Sequence, residues 1–188
     1  MAKPSRRACP ERSRRGRLKP RGAATAHTYV SELIHCVFST KQRRNLISAD
    51  VQQQLWEFLG GIARKNGFKA LIVGGTENHV HMLLSLPARM PLAKAMQLVK
   101  GASSRWMNEK FKTDLAWQEG YGAFTVGVSQ KSDTITYIQR QAEHHRKRNF
   151  EEEFLAFLKK NGIDHDPQHV WGYVLAGSSV PIRMWRIL

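Results

Sequence analysis

Glu77-Asn78-His79-Val80-His81-Met82-Leu83-Leu84-Ser85-Leu86-Pro87 is the stretch on which the reading of this chain turns. Apolar residues fill it, and Gly74-Gly75 before it and Pro87 after it bound it, so it reads as a β-strand. Side chains alternate faces along a strand, which sends Val80, Met82, Leu84 and Leu86 one way and His79 and His81 the other. Two imidazoles on one face can close on a single cation, and neutral imidazole is the commonest metal ligand on a protein. A His-x-His triplet by itself is more often a pair of half-buried or surface histidines. A second element supplies what this one lacks. Tyr137-Ile138-Gln139-Arg140-Gln141 falls in a segment patterned as a helix, with Tyr137 and Gln141 at i and i+4 on one face. A tyrosine nucleophile and an amide oxygen delivered to a His-x-His pair make a phosphodiester-cleaving centre.

The rest of the chain reads outward from that strand. Thr28 to Ser39 is rich in β-branched, aromatic and aliphatic residues and reads as a first strand. Asp50 is the expected cap of a helix running to about Asn66, with Val51, Leu55, Phe58, Leu59 and Ile62 on one stripe and Gly67 at its stop. Phe68 to Val73 is a second strand that turns through Gly74–Asn78 into the histidine strand as a hairpin. Pro91 opens a further helix. Trp117 to Val128 gives a loop and a fourth strand, and Ser132 or Asp133 is the expected cap of the tyrosine helix, with a further amphipathic helix over 151–161. Strand, helix, strand, strand, helix, strand, helix is the order of an α+β, ferredoxin-like split βαβ fold, with an added tyrosine-bearing helix towards the C-terminus. Two helices would cover one face of the antiparallel sheet, leaving His79 and His81 on an open, accessible face.

The composition sets the class of partner. Across 188 residues, 30 Lys+Arg oppose 15 Asp+Glu, a net charge of +15 that favours a polyanion. Nine of the basic residues and only one acid fall within residues 1–22. Residues 1–26 also hold three prolines and almost no large apolar side chains, so they read as a disordered basic tail. Residues 27–165 read as the folded domain, and 166–188 as an apolar, turn-rich extension whose packing the sequence does not give. Cys9 and Cys36 suggest no disulfide framework. No apolar run approaches the ~20 residues of a membrane span, no apolar segment follows the basic start as in a secretory signal, and a cytoplasmic protein is expected. Gly74-Gly75 is a lone pair without the context of a nucleotide-cofactor loop.

Candidate phosphate contacts are the basic loop Lys41, Arg43 and Arg44, the run Lys100-Gly101-Ala102-Ser103-Ser104-Arg105, and Arg140 beside the tyrosine. In that run glycine and small hydroxyls break helix propensity, and residues of this kind let a backbone approach phosphate closely. The alternatives are a solvated loop for the first group and a tight helix–sheet contact at Gly101 for the second. Tyr121 and its aromatic neighbours could stack on unpaired bases or simply pack. His144 and His145 are weaker ligand candidates than His79, His81 and Gln141.

The histidine strand, the Lys-Gly-x-Ser-Ser run, the Gly120-Tyr121-Gly122-Ala123-Phe124 run and the Tyr-x-x-x-Gln helix occur in the order found in single-tyrosine HUH transposases. The chain resembles that family, the small transposases of bacterial insertion sequences and their repeat-associated relatives, over about residues 27–165. The resemblance implies that Tyr137 is the nucleophile and that His79, His81 and Gln141 hold Mg²⁺ or Mn²⁺. It further implies a covalent 5′-phosphotyrosine intermediate on single-stranded DNA with hairpin ends, a free 3′-OH, and a homodimer. Two nitrogens and one amide oxygen suit Mn²⁺ and tolerate Mg²⁺. A repeat-hairpin-processing relative that no longer moves would carry the same chemistry. A non-catalytic nucleic-acid-binding regulator with a ferredoxin-like sheet would place aromatics, not histidines, on the open face.

Deleting residues 1–22 should leave the fold intact and weaken non-specific DNA binding, with a shallower dependence of affinity on salt. Equal salt slopes before and after deletion would show that the tail touches no phosphate.

Overall fold

The computed structural model describes residues 29–141 and 150–165. The tail over 1–26, the extension over 166–188, and His144 and His145 lie outside these residues.

Four strands form one antiparallel sheet: β1 (Glu32–Ser39), β2 (Lys69–Gly75), β3 (His79–Leu86) and β4 (Gly122–Thr125), in the spatial order β2-β3-β1-β4. Helix α1 (Ala49–Lys65) links β1 to β2, and α2 (Leu92–Phe111) links β3 to β4. This is the ferredoxin-like order expected from the sequence. Helices α3 (Lys131–Gln139) and α4 (Phe150–Lys160) follow β4.

Alternation along the central strands sorts the core. Ile34, Cys36, Phe38, Val80, Met82, Leu84 and Leu86 point to one face and pack against Val51, Leu55 and Leu59 of α1 and Ala95, Met96, Val99 and Met107 of α2. Each large apolar side chain buried there contributes roughly 1.5–3 kcal/mol, so this face anchors the domain. The opposite face carries Leu33, Val37 and Leu83, which meet Ile138 of α3 and Leu158 of α4.

That second layer corrects the expectation of an open face. His79 and His81 do point away from α1 and α2, but their relative exposures are only 1% and 0%. Helices α3 and α4 cover them, making three layers instead of two. Two glycines permit the close approach. A Cβ on Gly74 would lie 2.5 Å from the Ile138 carbonyl oxygen of α3, and one on Gly122 would lie 2.6 Å from Cε2 of Phe154 in α4. The Gly74-Gly75 pair therefore acts in packing.

Helix boundaries depart from the sequence reading in three informative places. Ser48, not Asp50, is the N-cap of α1, and Asp50 lies in the first turn, where a carboxylate favours the helix dipole. Helix α3 starts at Lys131 behind the short turn Val128–Gln130, ahead of the expected Ser132 or Asp133 cap. It stops at Gln139 with Arg140 as C-cap, so Tyr137 and Gln141 do not share one unbroken helix. Finally, Lys100–Arg105 does not interrupt α2. Ser103 Oγ donates to Val99 O at 2.7 Å and Ser104 Oγ to Lys100 O at 3.0 Å, so both hydroxyls bond one turn back along the helix. Gly101 is exposed, and a Cβ placed on it would meet nothing within 4 Å, so it makes no tight contact either.

Gly74→Ala should cost roughly 1–3 kcal/mol, because α3 must shift off the sheet. Gly101→Ala should stabilise by roughly 0.5–1 kcal/mol, since an exposed mid-helix glycine carries only its entropy cost. Denaturant melts of the two variants should move in opposite directions; movement in the same direction would contradict this packing account.

Candidate active site

Pleat and register place the two histidines. Val37 of β1 is the Cα partner of His81 and Ser39 that of His79, on the strand pair at the centre of the sheet. Their imidazoles point under α3 and α4, where Tyr137, Gln141 and Glu153 join them. The His81 and Tyr137 ring centroids are 5.9 Å apart, nearly edge to face. His79 Nε2, His81 Nε2, the Tyr137 hydroxyl, Gln141 Oε1 and Glu153 Oε2 are all buried side-chain atoms.

The ring nitrogens divide their roles. His79 Nδ1 is 2.8 Å from Asn78 Oδ1 and 3.0 Å from Thr76 Oγ1. Asn78 Nδ2 donates to Asn45 Oδ1 at 2.9 Å, which leaves Asn78 Oδ1 facing the histidine. His81 Nδ1 is 2.9 Å from His35 Nε2. With each Nδ1 engaged, Nε2 is the atom each ring presents to the enclosure. Phe150 of α4 stacks on His79 at 4.4 Å between centroids, and Phe157 lies edge-on to Tyr137 at 5.8 Å. These aromatic walls keep bulk water away from the polar atoms between them.

Gln141 is 1% exposed. Its Nε2 donates to Glu153 Oε1 at 3.2 Å, while its Oε1 has no hydrogen-bond partner among the described residues. A buried amide oxygen without a donor is costly unless something electropositive meets it. His79, His81 and Glu153 also offer ligand atoms that all lie within 4.8 Å of one another. Two imidazole nitrogens with nearby carboxylate and amide oxygens fit a divalent cation of the Mn²⁺ or Mg²⁺ kind.

Burial governs the charges here. It pushes the Glu153 carboxyl up to about 7 and the His35 imidazole down to about 4. It also raises the Cys36 thiol to about 12, so this cysteine is an inert part of the core.

The predicted DNA-contact residues scatter. Lys41, Arg43 and Arg44 follow β1 at the end where Thr40 N donates to Asn78 O, and so lie beside the His79 end of the site. Arg43 pairs with Glu151 of α4 and Arg44 with Asp114 at 2.8 Å, the latter an exposed contact. Arg44 holds the Asp114 carboxyl below its ordinary value. Arg140 is exposed at the end of α3. Lys100, Ser103, Ser104 and Arg105 sit on α2, across the sheet from the histidines. Ser103 is removed from the contact set: it is 0% exposed and accepts the Trp117 indole N–H at 3.0 Å. Lys100 Nζ donates to the carbonyls of Gln118, Glu119 and Gly120 at 2.5, 2.9 and 2.9 Å, fastening the loop before β4. Ser104 is half-buried with its hydroxyl turned back on the helix, and Arg105 is exposed. Trp117 packs edge-on against Phe38 and Phe124 is buried, leaving Tyr121 as the exposed aromatic of that loop.

Sequence reasoning did not find His35, Thr76, Asn78 or Glu153. Alternation along β1 puts His35 on the face of Val37, but only the register brings it to His81. Glu153 closes an acidic run at the start of α4, which reads as dipole complementation and nothing more.

An α+β unit in this strand order, with a tyrosine and paired histidines enclosed between sheet and helices, resembles the tyrosine transposases. Residues 28–141 match the family described as "Transposase IS200 like". The chain belongs to that family. It is 28% identical over 121 residues to the ISDra2 transposase TnpA of Deinococcus radiodurans, covering 60% of this chain and 86% of that one. It is 28% identical over 125 residues to the transposase for insertion sequence element IS200 of Salmonella typhimurium, covering 63% and 82%. A solved transposase structure from Deinococcus radiodurans superposes with a TM-score of 0.50 at 26% identity, over 65% of this chain and 96% of that chain. The REP-associated tyrosine transposase, solved bound to a REP hairpin, superposes with a TM-score of 0.51 over 82% and 96% of the two chains; at 14% identity it shares the fold alone. No helix among the described residues is long and apolar enough to cross a membrane.

The raised Glu153 carboxyl has a consequence for the stability of the metal-free protein. Its folded value of about 7 exceeds the unfolded 4.5, so the native state retains a proton that the unfolded chain has lost. The contribution of Glu153 to stability therefore falls as pH rises through that window and levels off above it. Chelated Glu153→Gln should lose less stability than the parent between about pH 5 and about pH 7. Parallel melting-temperature profiles for the two proteins would contradict the assignment.

Proposed function

We propose that this chain is a metal-assisted single-strand DNA endonuclease and strand-transfer enzyme in which Tyr137 attacks a phosphodiester. The observation that carries this is one buried cluster at the sheet: the Tyr137 ring 5.9 Å from that of His81, ligand atoms of His79, His81 and Glu153 within 4.8 Å of one another, and Gln141 bonded to Glu153 at 3.2 Å. Residues 27–165 would form the working domain. Hairpin ends are the substrate favoured by analogy with the REP-associated relative, which was solved on a hairpin.

His79, His81 and Gln141 would hold Mg²⁺ or Mn²⁺, with Glu153 placed to add a carboxylate. When bound, the cation polarises the phosphate and supports the departing oxygen. The remaining steps belong to the chain. Tyr137 gives up its phenolic proton as its oxygen bonds phosphorus, the bond to the 3′ oxygen breaks, and that oxygen takes a proton to become a 3′-OH. A free phenol has a pKa near ~10, so little of it is ionised at neutral pH before attack. The tyrosyl ester conserves the bond energy, and reversal by another 3′-OH rejoins a strand. Lys41, Arg43 and Arg44 follow β1 at the His79 end and Arg140 ends α3, and these basic groups would steady the backbone of the substrate. Helix α4 covers the histidines, so a phosphodiester reaches Tyr137 only when α4 gives way. A homodimer would present two such sites.

Tyr137→Phe should abolish the covalent adduct with labelled single-stranded hairpins while retaining DNA and Mn²⁺ binding, because only the hydroxyl is lost. His79→Ala or His81→Ala should abolish cleavage and leave hairpin binding within a few fold. Peptide mapping of a trapped adduct decides the nucleophile. Phosphotyrosine at Tyr121, or cleavage persisting in both histidine variants, would overturn the reading.

A further inference from the structure

His35 sits on the ligand face of the sheet, and the chemistry above gives it no task. It is two residues from Val37, the strand partner of His81, and so is the diagonal neighbour of that histidine. Diagonal same-face pairs lie roughly 7–8 Å apart at the backbone, within reach for two imidazoles. Here the rings stack at 5.1 Å between centroids and 29° between planes. His35 Nε2 lies 2.9 Å from His81 Nδ1. The side chain is 3% exposed and walled by Phe124, Phe157 and Tyr137.

One proton lies between those two nitrogens, and its owner matters. If His35 donates, His81 Nδ1 accepts and the proton of the neutral His81 ring sits on Nε2, which then cannot ligate. If His81 donates, its Nε2 lone pair is bare. His79, the other ligand, shows which arrangement the site uses. Its Nδ1 faces Asn78 Oδ1 at 2.8 Å, and a carboxamide oxygen can only accept. His79 is thereby held with the proton on Nδ1 and Nε2 turned into the enclosure.

We propose that His35 is a positioning residue of the metal centre: its Nε2 accepts a hydrogen bond from His81 Nδ1–H and holds His81 in the tautomer whose Nε2 can bind a divalent cation. Different chemical groups thus impose one tautomer on both ligands, a carboxamide on His79 and a second imidazole on His81. The inference rests on the metal-centre reading given above. Partners of this kind, behind a ligating histidine, orient the ring and raise its basicity.

The test uses the full chain as parent, His35→Phe, which keeps a ring but cannot accept, and His35→Gln, whose amide oxygen can. Nitrogen-15 NMR of the chelated parent should show His81 protonated at Nδ1 and bare at Nε2. Mn²⁺ titrations followed by electron paramagnetic resonance should show His35→Phe weakened by roughly 10- to 100-fold, with His35→Gln within a few fold of the parent. Thermal melts of the chelated proteins establish that the variants being compared are folded. If His35→Phe does not fold, the parent tautomer and His35→Gln still decide. A proton on His81 Nε2, parental affinity in a folded His35→Phe, or an equal loss in both variants would overturn the proposal. A parent that binds no Mn²⁺ would sink the metal centre instead, while the His81 tautomer would still report on the bond to His35.

Discussion

Burying two imidazoles on a central strand is the constraint from which the rest of this structure follows. A polar group taken out of water costs free energy unless it finds a partner, and the cost grows in a low-dielectric interior. His79 and His81 escape that cost in part through Nδ1, bonded to Asn78 and Thr76 in one case and to His35 in the other. These partners come from the β2–β3 turn and from β1. The hairpin and the β1–β3 register are therefore conditions of the site as well as of the fold. A shift of one residue in that register would send His35 to the opposite face, among the side chains packed on α1 and α2.

The same alternation explains how much was legible in the sequence. The order of strands and helices and the division of β3 into an apolar and a histidine face follow from periods of two and 3.6, which depend on neighbours along the chain, whereas the pairing of the tyrosine segment with the histidines came from the family resemblance. What stayed hidden depends on contacts between distant segments. Cover from α4 is one example, because the pattern of Phe154, Leu155 and Leu158 announces a buried face without naming what it buries. Glu153 is another: three consecutive glutamates are indistinguishable in sequence, and only docking gives the third its place beside Gln141. Lys100–Arg105 misled for a related reason. Glycine and serine lower helix propensity locally, yet burial of Val99, Ser103 and Met107 against the sheet carries α2 through them.

Charge needs the same separation between composition and position. A chain at +15 invites every arginine to be read as a phosphate contact. In the folded domain Arg43 faces Glu151 and Arg44 faces Asp114, while Lys100 binds three carbonyls. The pairs differ in consequence. Arg44 and Asp114 are exposed, an arrangement typically worth little, so a phosphate could displace the carboxylate at small cost. The Arg43 pair ties the loop after β1 to α4, so an arriving phosphate that claimed Arg43 would also loosen the helix over the histidines.

Enclosure bears finally on the outcome of the proposed reaction. A phosphotyrosine ester can be resolved by water or by a strand's 3′-OH, and water is far more abundant. Selection for the strand therefore requires that water be kept from phosphorus while the ester persists. Phe150 stacked on His79, and Phe157 edge-on to Tyr137, both belong to α4, so they wall the ester only if α4 closes again once the strand has entered. An open sheet face would have admitted substrate more readily, but it would also have exposed the intermediate to hydrolysis. On this argument the burial of the histidines, which the sequence did not foretell, is the feature that suits the site to transferring strands as well as cutting them.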